Sequence, residues 1–456
     1  MTVTSFLICL LIIAVSAFLL FRKYNPQGVL IFAGLVMIAL SASIGLTPVE
    51  VSKSTGSAIF DLVKVIEEKF ISNFSRAGLM IMIIGGYVAF MNKIEATNML
   101  VYIAIKPLSF FKKYPYIASV LAIPIGQVLF MTTPSAAGIG LLLVASVYPI
   151  LTKLGVSKLT ALSVISAATL FDQGPGSANT ALASNLVNMS AIEYFLTYQL
   201  PNVLPTTAIL MVVYYWHSKR QDKKDLAAGK DIYAKDIDEN IKPDAPKLFA
   251  LLPLLPLLLL LTFSDYLGIF ETQLSTTVAM LVSLIISIIS VILYKRKIKE
   301  VIALLSSFWS GMGNVFASVI TLIVAAEIFS AGLISLGFID SLVAGTIGLG
   351  FGSITISVVI TAIIFFAAML MGSGNAAFFS FGPLIPEIAA KLGFPAVQMI
   401  LPMQLSASMG RAASPIAGVI VAIAGVAGVS PMELAKRNLL PLCVGITVLT
   451  IFHFIF

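Results

Sequence analysis

Stretches of about 20 consecutive apolar residues recur along this chain, at 3–21, 28–46 and 273–293 among others. Each has the length an α-helix needs to cross a hydrocarbon layer about 30 Å thick. Inside a membrane such a segment satisfies its backbone only as a helix or within a closed barrel. Barrel strands alternate apolar and polar residues over about ten positions, whereas these runs are continuously apolar, so a barrel is excluded. Of the 456 residues 59% are apolar and 11% charged, against about 25% charged in a soluble domain, which excludes a soluble enzyme. The sequence therefore specifies an all-α polytopic membrane protein.

The few charges are informative because they are uneven. Residues 217–247 hold eight of the 28 Lys and Arg and seven of the 21 Asp and Glu, and this segment reads as a charged cytoplasmic loop. The net charge of +7 reports membrane topology rather than a nucleic-acid partner, since no basic cluster is interleaved with aromatic residues. Cys9 and Cys443 lie in separate apolar runs and imply neither a disulfide nor a metal site. Residues 1–21 lack a basic leader and a cleavage signal, so they read as a retained first span. Arg22 and Lys23 place the following junction inside. Residues 48–76, with charges of both signs, are expected as an external excursion, and 78–94 as the return span toward Lys106, Lys112 and Lys113. The clusters at 219–224 and 295–299 and the pair Lys436 and Arg437 then all fall inside.

This parity allows two segments, 115–152 and 353–391, to turn back without crossing. Each is apolar on both flanks with a small, polar centre, Thr132-Thr133-Pro134-Ser135 in one and Gly372-Ser373-Gly374-Asn375 in the other. They read as re-entrant hairpins, whose tips are tolerated at that depth only against protein or a wet cavity. Two full spans with a structural kink would satisfy the same parity. A shift of the chain on itself by 238 to 240 residues superposes Ser135 on Ser373, Lys153 on Lys391, Pro175 on Pro415, Ser190 on Ser430, Glu193 on Glu433 and Pro201 on Pro441. With five crossings and one hairpin per half, the second copy enters from the opposite side. The expected domains are a first inverted repeat at 1–216 (hairpin 115–152, broken helix about 158–190) and a second at 248–456 (hairpin 353–391, broken helix about 396–427). Inverted repeats place a transporter's site near the membrane midplane.

Each hairpin is followed by an apolar stretch with helix breakers at its middle, Asp172 to Ser177 with Pro175 and Gly176, and Gly410 to Pro415. Proline removes a backbone donor there and frees a carbonyl. Four half-helix N-termini facing one cavity would suit about two negative charges, and freed carbonyls would suit a cation. Kinks that serve packing alone remain the plainer reading. Arg411 is the one Lys or Arg between Lys391 and Lys436. A charge at that depth costs about 2.5–3.5 kcal/mol or more, which argues for a cavity and an anionic partner. Its fork suits a carboxylate; an ion pair with Asp172 is the alternative. Asp172 is a candidate for a coupling Na+ or H+, or for a structural pair or helix cap, and Glu327 in its apolar run is either a second titratable candidate or a satisfied buried carboxyl. No cofactor, metal cluster or phosphate loop is called for, and His217 and His453 have no metal-ligand company.

The runs Met371 to Phe379 with Ile385-Pro386, Arg411 to Ile416 with Val419 to Gly428, Ser430-Pro431 through Arg437, and Gly311 through Phe329 resemble the DcuC/DcuD branch of anaerobic C4-dicarboxylate carriers, Glu327 leaning to the DcuD side. The resemblance spans almost the whole chain. It implies a bacterial inner-membrane secondary carrier for succinate, fumarate or malate, related to the ion transporter superfamily, with a scaffold domain, a moving transport domain and a homodimeric assembly. On that basis Thr132, Thr133, Ser135, Ser177, Ser373, Asn375 and Ser414 would donate to substrate carboxylates, with Arg411 offsetting their charge. Asp172, Asn179 and Glu327 are the ion-coupling candidates, and Pro175, Gly176 and Pro415 the helix breaks. A carrier of another organic anion and an anion channel are the rivals; a membrane enzyme would need a nucleophile, base or metal cluster that the motifs do not supply.

Overall fold

The computed structural model describes residues 3–22, 24–47, 51–111, 113–234, 243–348 and 352–455; Lys23, Lys112 and loop positions 235–242, used above for topology, lie outside them. Among the described residues all regular structure is helical. The first half runs α1 (Val3–Phe21), α2 (Pro26–Ser43), α3 (Ala58–Asn73), α4 (Leu79–Lys93), α5 (Ala96–Ala104), α6 (Pro115–Thr132), α7 (Ala136–Lys153), α8 (Lys158–Ala167), α9 (Ala178–Leu186), α10 (Ala191–Tyr194) and α11 (Leu200–Ala227). The second runs α12 (Leu255–Thr262), α13 (Thr276–Lys295), α14 (Ile298–Val315), α15 (Thr321–Ser335), α16 (Phe338–Gly348), α17 (Ser353–Met371), α18 (Gly374–Phe381), α19 (Ile385–Lys391), α20 (Ala396–Ala412), α21 (Gly418–Val426) and α22 (Pro431–Ile455). Among the described residues eight helical segments are long and apolar enough to cross a membrane, nine if Leu79–Lys93 and Ala96–Leu108, bent by 75°, count as one. This count differs in kind from the expected ten crossings: it includes α6, α7 and α17, which are arms of the expected hairpins, and leaves out the broken segments, whose halves are individually too short.

Helix starts follow the local chemistry. Asn25 caps α2 by accepting from the Gly28 amide with Pro26 at the first position, and Ser157, Ser190 and Ser275 cap α8, α10 and α13 in the same way. Large apolar side chains such as Phe32 and Leu293 stay exposed on the outer faces, as a lipid-facing surface requires.

Two expectations are corrected. Residues 58–76 are not a separate excursion: α3 continues through a five-residue π-helical turn, Phe74–Gly78, directly into α4. The charged segment 217–247 begins as further turns of α11, because Asp222 is buried and accepts from Ser157, Thr160, Tyr116 and the Arg437 guanidinium (2.9 Å). Arg437, used above only as a marker of the inner side, is a buried partner of Asp222 and Asp225.

Element boundaries recur along the chain. Helices begin at 136 and 374, 158 and 396, 178 and 418, and 191 and 431; the long pair α3–α4 and α14–α15 begins at 58 and 298. Both members of that pair carry a five-residue π-helical turn, at Phe74–Gly78 and at Phe316–Ile320. The two cross antiparallel: Lys69 lies 3.8 Å from Glu327, Gly78 packs on Ile320, Gly85 on Val315 and Gly311, and Gly86 on Phe308. The contact between Gly78 and Ile320 joins the matching ends of the two π turns, within two residues of the repeat offset. A two-fold axis imposes that kind of self-matching contact. Equivalent helices that meet antiparallel predict that equivalent surface positions lie on opposite sides of the membrane. Tyr114 and Gly352, 238 residues apart and both exposed, test this: single cysteines there in a Cys9→Ser, Cys443→Ser background are expected to label from opposite faces with impermeant maleimide. Labelling from one face would contradict the antiparallel relation.

Candidate functional site

The turn between α6 and α7 and the turn between α17 and α18 share one local design. Ser135 caps α7 by accepting from the Gly138 amide (3.3 Å), and Ser373 caps α18 by accepting from the Ala376 amide (3.1 Å). Both turns therefore end on helix N-termini, where free amides favour negative charge. Gly372 adopts φ +70°, and a Cβ there would lie 3.0 Å from the Ile416 carbonyl oxygen, so the second turn rests directly on the break between α20 and α21. The first turn is seated likewise. Gly174, at φ +88° in the break between α8 and α9, leaves no room for a Cβ against Met131.

Asp172 lies in that first break, buried. Its carboxylate accepts from the Ser177 hydroxyl and from Asn179 Nδ2 (2.9 Å), and Arg411 Nη1 stands 4.0 Å away. Asn179 Nδ2 also donates to Asn375 Oδ1 across the halves (3.1 Å). Arg411 donates from Nη2 to the freed carbonyl of Thr169 (2.6 Å) and lies over the Phe130 ring at 5.7 Å, while its Nε has no partner. The guanidinium thus ties the second break to the first and keeps donor capacity in reserve.

These groups border a cavity of about 500 Å³, within the range of small-ligand sites. Ser135, Asp172, Ser373, Asn375 and Arg411 line one wall; Gly85, Asn92, Gly311 and Asn314, from the crossed long helices, line the other. Of the remaining expected residues, Asn179 sits behind the wall, bridging Asp172 and Asn375. Ser177 is committed to Asp172 and to the amides of Asn179 and Thr180. Thr132 donates to its own helix at Leu129 and borders, with Pro175 and Gly176, a smaller space facing Tyr87. Thr133 is buried with its hydroxyl unpartnered. Ser414 accepts weakly from the Ile416 amide beside Pro415, away from the cavity wall. Glu327 is not brought to the site: it faces Lys69 on the crossing of the long helices.

A layer of carboxamides behind Asp172 was not singled out in the sequence. Gln404 donates to the Asp172 carbonyl (3.1 Å) and accepts from Tyr194 and Gln199; Gln199 in turn accepts from the Gly174 amide (3.0 Å) and donates to Thr180. The signal available was a glutamine within a helix of spanning depth, two turns before Arg411, which needs partners there.

The sequence profile of the family described as "C4-dicarboxylate anaerobic carrier" (DcuC) matches residues 4–456. The chain belongs to the DcuC family. It is 30% identical over 452 residues to the anaerobic C4-dicarboxylate transporter DcuC of Escherichia coli strain K12, covering 99% of this chain and 96% of that one. It is 29% identical to the probable DcuC of Vibrio cholerae, covering 98% and 96%. Its fold is similar to the crystal structure of the Alcanivorax borkumensis YdaH transporter (TM-score 0.64, 14% identity, 94% of this chain and 98% of that chain) and to Neisseria gonorrhoeae MtrF (TM-score 0.61, 13% identity, 94% and 95%). The DcuC-family chain is a multi-pass transporter of the bacterial inner membrane, not an enzyme.

The carboxamide layer generates a stability prediction for this DcuC-family chain. Gln404→Leu leaves the Asp172 carbonyl, Tyr194 and Gln199 short of partners and is expected to destabilise the purified protein by about 1–3 kcal/mol, lowering its melting temperature. An unchanged melting temperature would contradict the role given to Gln404.

Proposed function

We propose that this DcuC-family chain carries C4-dicarboxylates, of the succinate, fumarate and malate class, as a secondary transporter whose substrate occupies the 500 Å³ cavity. The observation that carries the reading is the buried Arg411 guanidinium, bordering the cavity with an unpartnered Nε beside two serine-capped helix N-termini. Arg411 offers a fork to one carboxylate, and the capped turns at Ser135 and Ser373, with Asn375, offer neutral donors to the other. Family membership supports the substrate class.

Coupling follows from the same geometry. A substrate carboxylate that engages Arg411 competes with Asp172, 4.0 Å away, and an Asp172 left without its countercharge takes up H+ or Na+. The antiparallel crossing of α3–α4 with α14–α15 supports inverted repeats. An asymmetry supports alternating access: α18 packs on α15, whereas the equivalent start of α7 is separated from α4 by the cavity. An elevator-type exchange of these two settings, with the long crossed helices as scaffold in a homodimer, would open the site to the other side.

The test is uptake of radiolabelled succinate and fumarate into proteoliposomes holding equal amounts of each variant. Arg411→Lys keeps the charge but not the planar two-bond geometry, and losing one charge-assisted bond is expected to lower affinity about tenfold or more. The paired change Arg411→Ala with Asp172→Ala removes the ion pair without stranding a buried charge and is expected to remain inactive. Near-normal affinity in that double variant would assign Arg411 a structural role and overturn the reading.

A further inference from the structure

The cavity wall contributed by the long crossed helices is built almost wholly from groups that cannot hold an anion. Ile81, Ile84, Val88, Ala89, Val315 and the glycines opposite them are apolar or carry no side chain. Two side chains break this pattern, Asn92 on α4 and Asn314 on α14. Both are exposed, both border the cavity, and neither has a hydrogen-bond partner among the described residues. Asn314 lies at depth, since the helix crossing seats its neighbours Gly311 and Val315 on Gly85, and an amide there with no protein partner is tolerated where it meets water or a polar ligand. Exposure on α4 increases from Ile81 and Ile84, which are buried, through Gly85, Val88 and Ala89 to Asn92. The mouth of the cavity is therefore at the Asn92 end. That end carries Lys93 and Glu95, and the Glu95 carboxylate accepts from the Asp244 amide of the charged segment 217–247. By the positive-inside rule this is the cytoplasmic face.

We infer that Asn92 and Asn314 are substrate-binding residues that act on one side only: in the cavity open to the cytoplasm, Asn92 hydrogen-bonds a carboxylate passing the mouth and Asn314 one lying deeper, level with Gly85, and together they set the affinity on that face. The inference rests on the proposed dicarboxylate site and adds to it a contact supplied by the opposite wall. A carboxamide suits the task. Its NH2 group donates to a carboxylate without a net charge, so it orders the substrate at the mouth without trapping it as a lysine or arginine would. Because the two asparagines belong to the crossed helices rather than to the turns and breaks that hold Arg411, their contact is lost when the substrate faces the other side. The two faces of the membrane are thereby given different affinities by residues outside the Arg411 cluster.

The experiment measures KM for succinate separately in everted vesicles, which present the cytoplasmic face, and in right-side-out vesicles. Asn92→Ala and Asn314→Ala break no hydrogen bond within the protein, so amount and melting temperature should match the unaltered chain. Each is expected to raise the everted-vesicle KM about three- to tenfold, the effect of one lost hydrogen bond, with the right-side-out KM unchanged. Asn92→Asp, which sets a negative charge at the mouth, is expected to raise it further. Equal shifts on both faces, or no shift on either in a chain that transports succinate, would overturn the one-sided role while leaving the dicarboxylate site standing. Absence of succinate or fumarate transport by the unaltered chain in both vesicle types would overturn the dicarboxylate site and this inference with it.

Discussion

Non-helical backbone in the middle of a membrane protein must find partners within the protein, and that constraint organises this molecule. Residues 168–177 interrupt a helix of spanning length, and 413–417 interrupt its counterpart. Each freed carbonyl or amide would cost several kcal/mol in hydrocarbon. The Thr169 carbonyl is taken by Arg411, the Asp172 carbonyl by Gln404, the Gly174 amide by Gln199 and the amides of Asn179 and Thr180 by Ser177. Satisfying one break thus requires, besides its own Ser177, side chains from two other elements, α20 and the π-helical turn Phe195–Gln199 that leads into α11, and the polar groups left over, Arg411 Nε and Asn179 Oδ1 among them, sit at or just behind the cavity wall. The site is a consequence of how the breaks are satisfied.

A second buried ion cluster works to a different end. Asp222 and Arg437 hold α11 and α22 to the start of α8 and to Tyr116 at the foot of α6. Every ligand of Asp222 is a donor and the pair is sealed from solvent, so it fixes four elements in one body. Lys391, at the end of α19, pairs with Asp340 and Glu387 nearer the surface. The buried Arg437 is thus held by Asp222 and Asp225 away from the cavity, and Arg411 is the buried guanidinium that borders it.

Much of this was legible in the sequence where a local rule applied. The breaks were marked by Pro175, Gly176 and Pro415 inside apolar runs, and the turns by Thr-Pro-Ser and Gly-Ser-Gly-Asn, because proline, glycine and serine act on their own neighbours' backbone. Five expected residues, Ser135, Asp172, Ser373, Asn375 and Arg411, border one cavity. Partners distant in sequence were not legible. Glu327 could be read as a titrating or a satisfied carboxyl, but its partner Lys69, on a helix from the other half, has no mark in the local sequence. Gln199 and Gln404 carry no motif, and their value lies in the Asp172 and Gly174 backbone they satisfy. The continuity of α3 into α4 was hidden because charges of both signs at 61–76 resemble a loop, whereas on the helix Asp61, Lys64 and Glu68 bond to residues 52–55 and Lys69 pairs with Glu327.

The central claim is that the pocket between the capped turns and Arg411 binds a four-carbon dicarboxylate. The most direct measurement is thermal unfolding of the purified chain against succinate, fumarate and malate, with butyrate and chloride at matched ionic strength. A ligand that binds only the folded protein, at 100 times its dissociation constant, stabilises by about 2.7 kcal/mol. The account predicts a saturable rise in melting temperature with the dicarboxylates and none with butyrate, which offers a single carboxylate. A rise that is equal for butyrate, or no rise with any dicarboxylate, would contradict it.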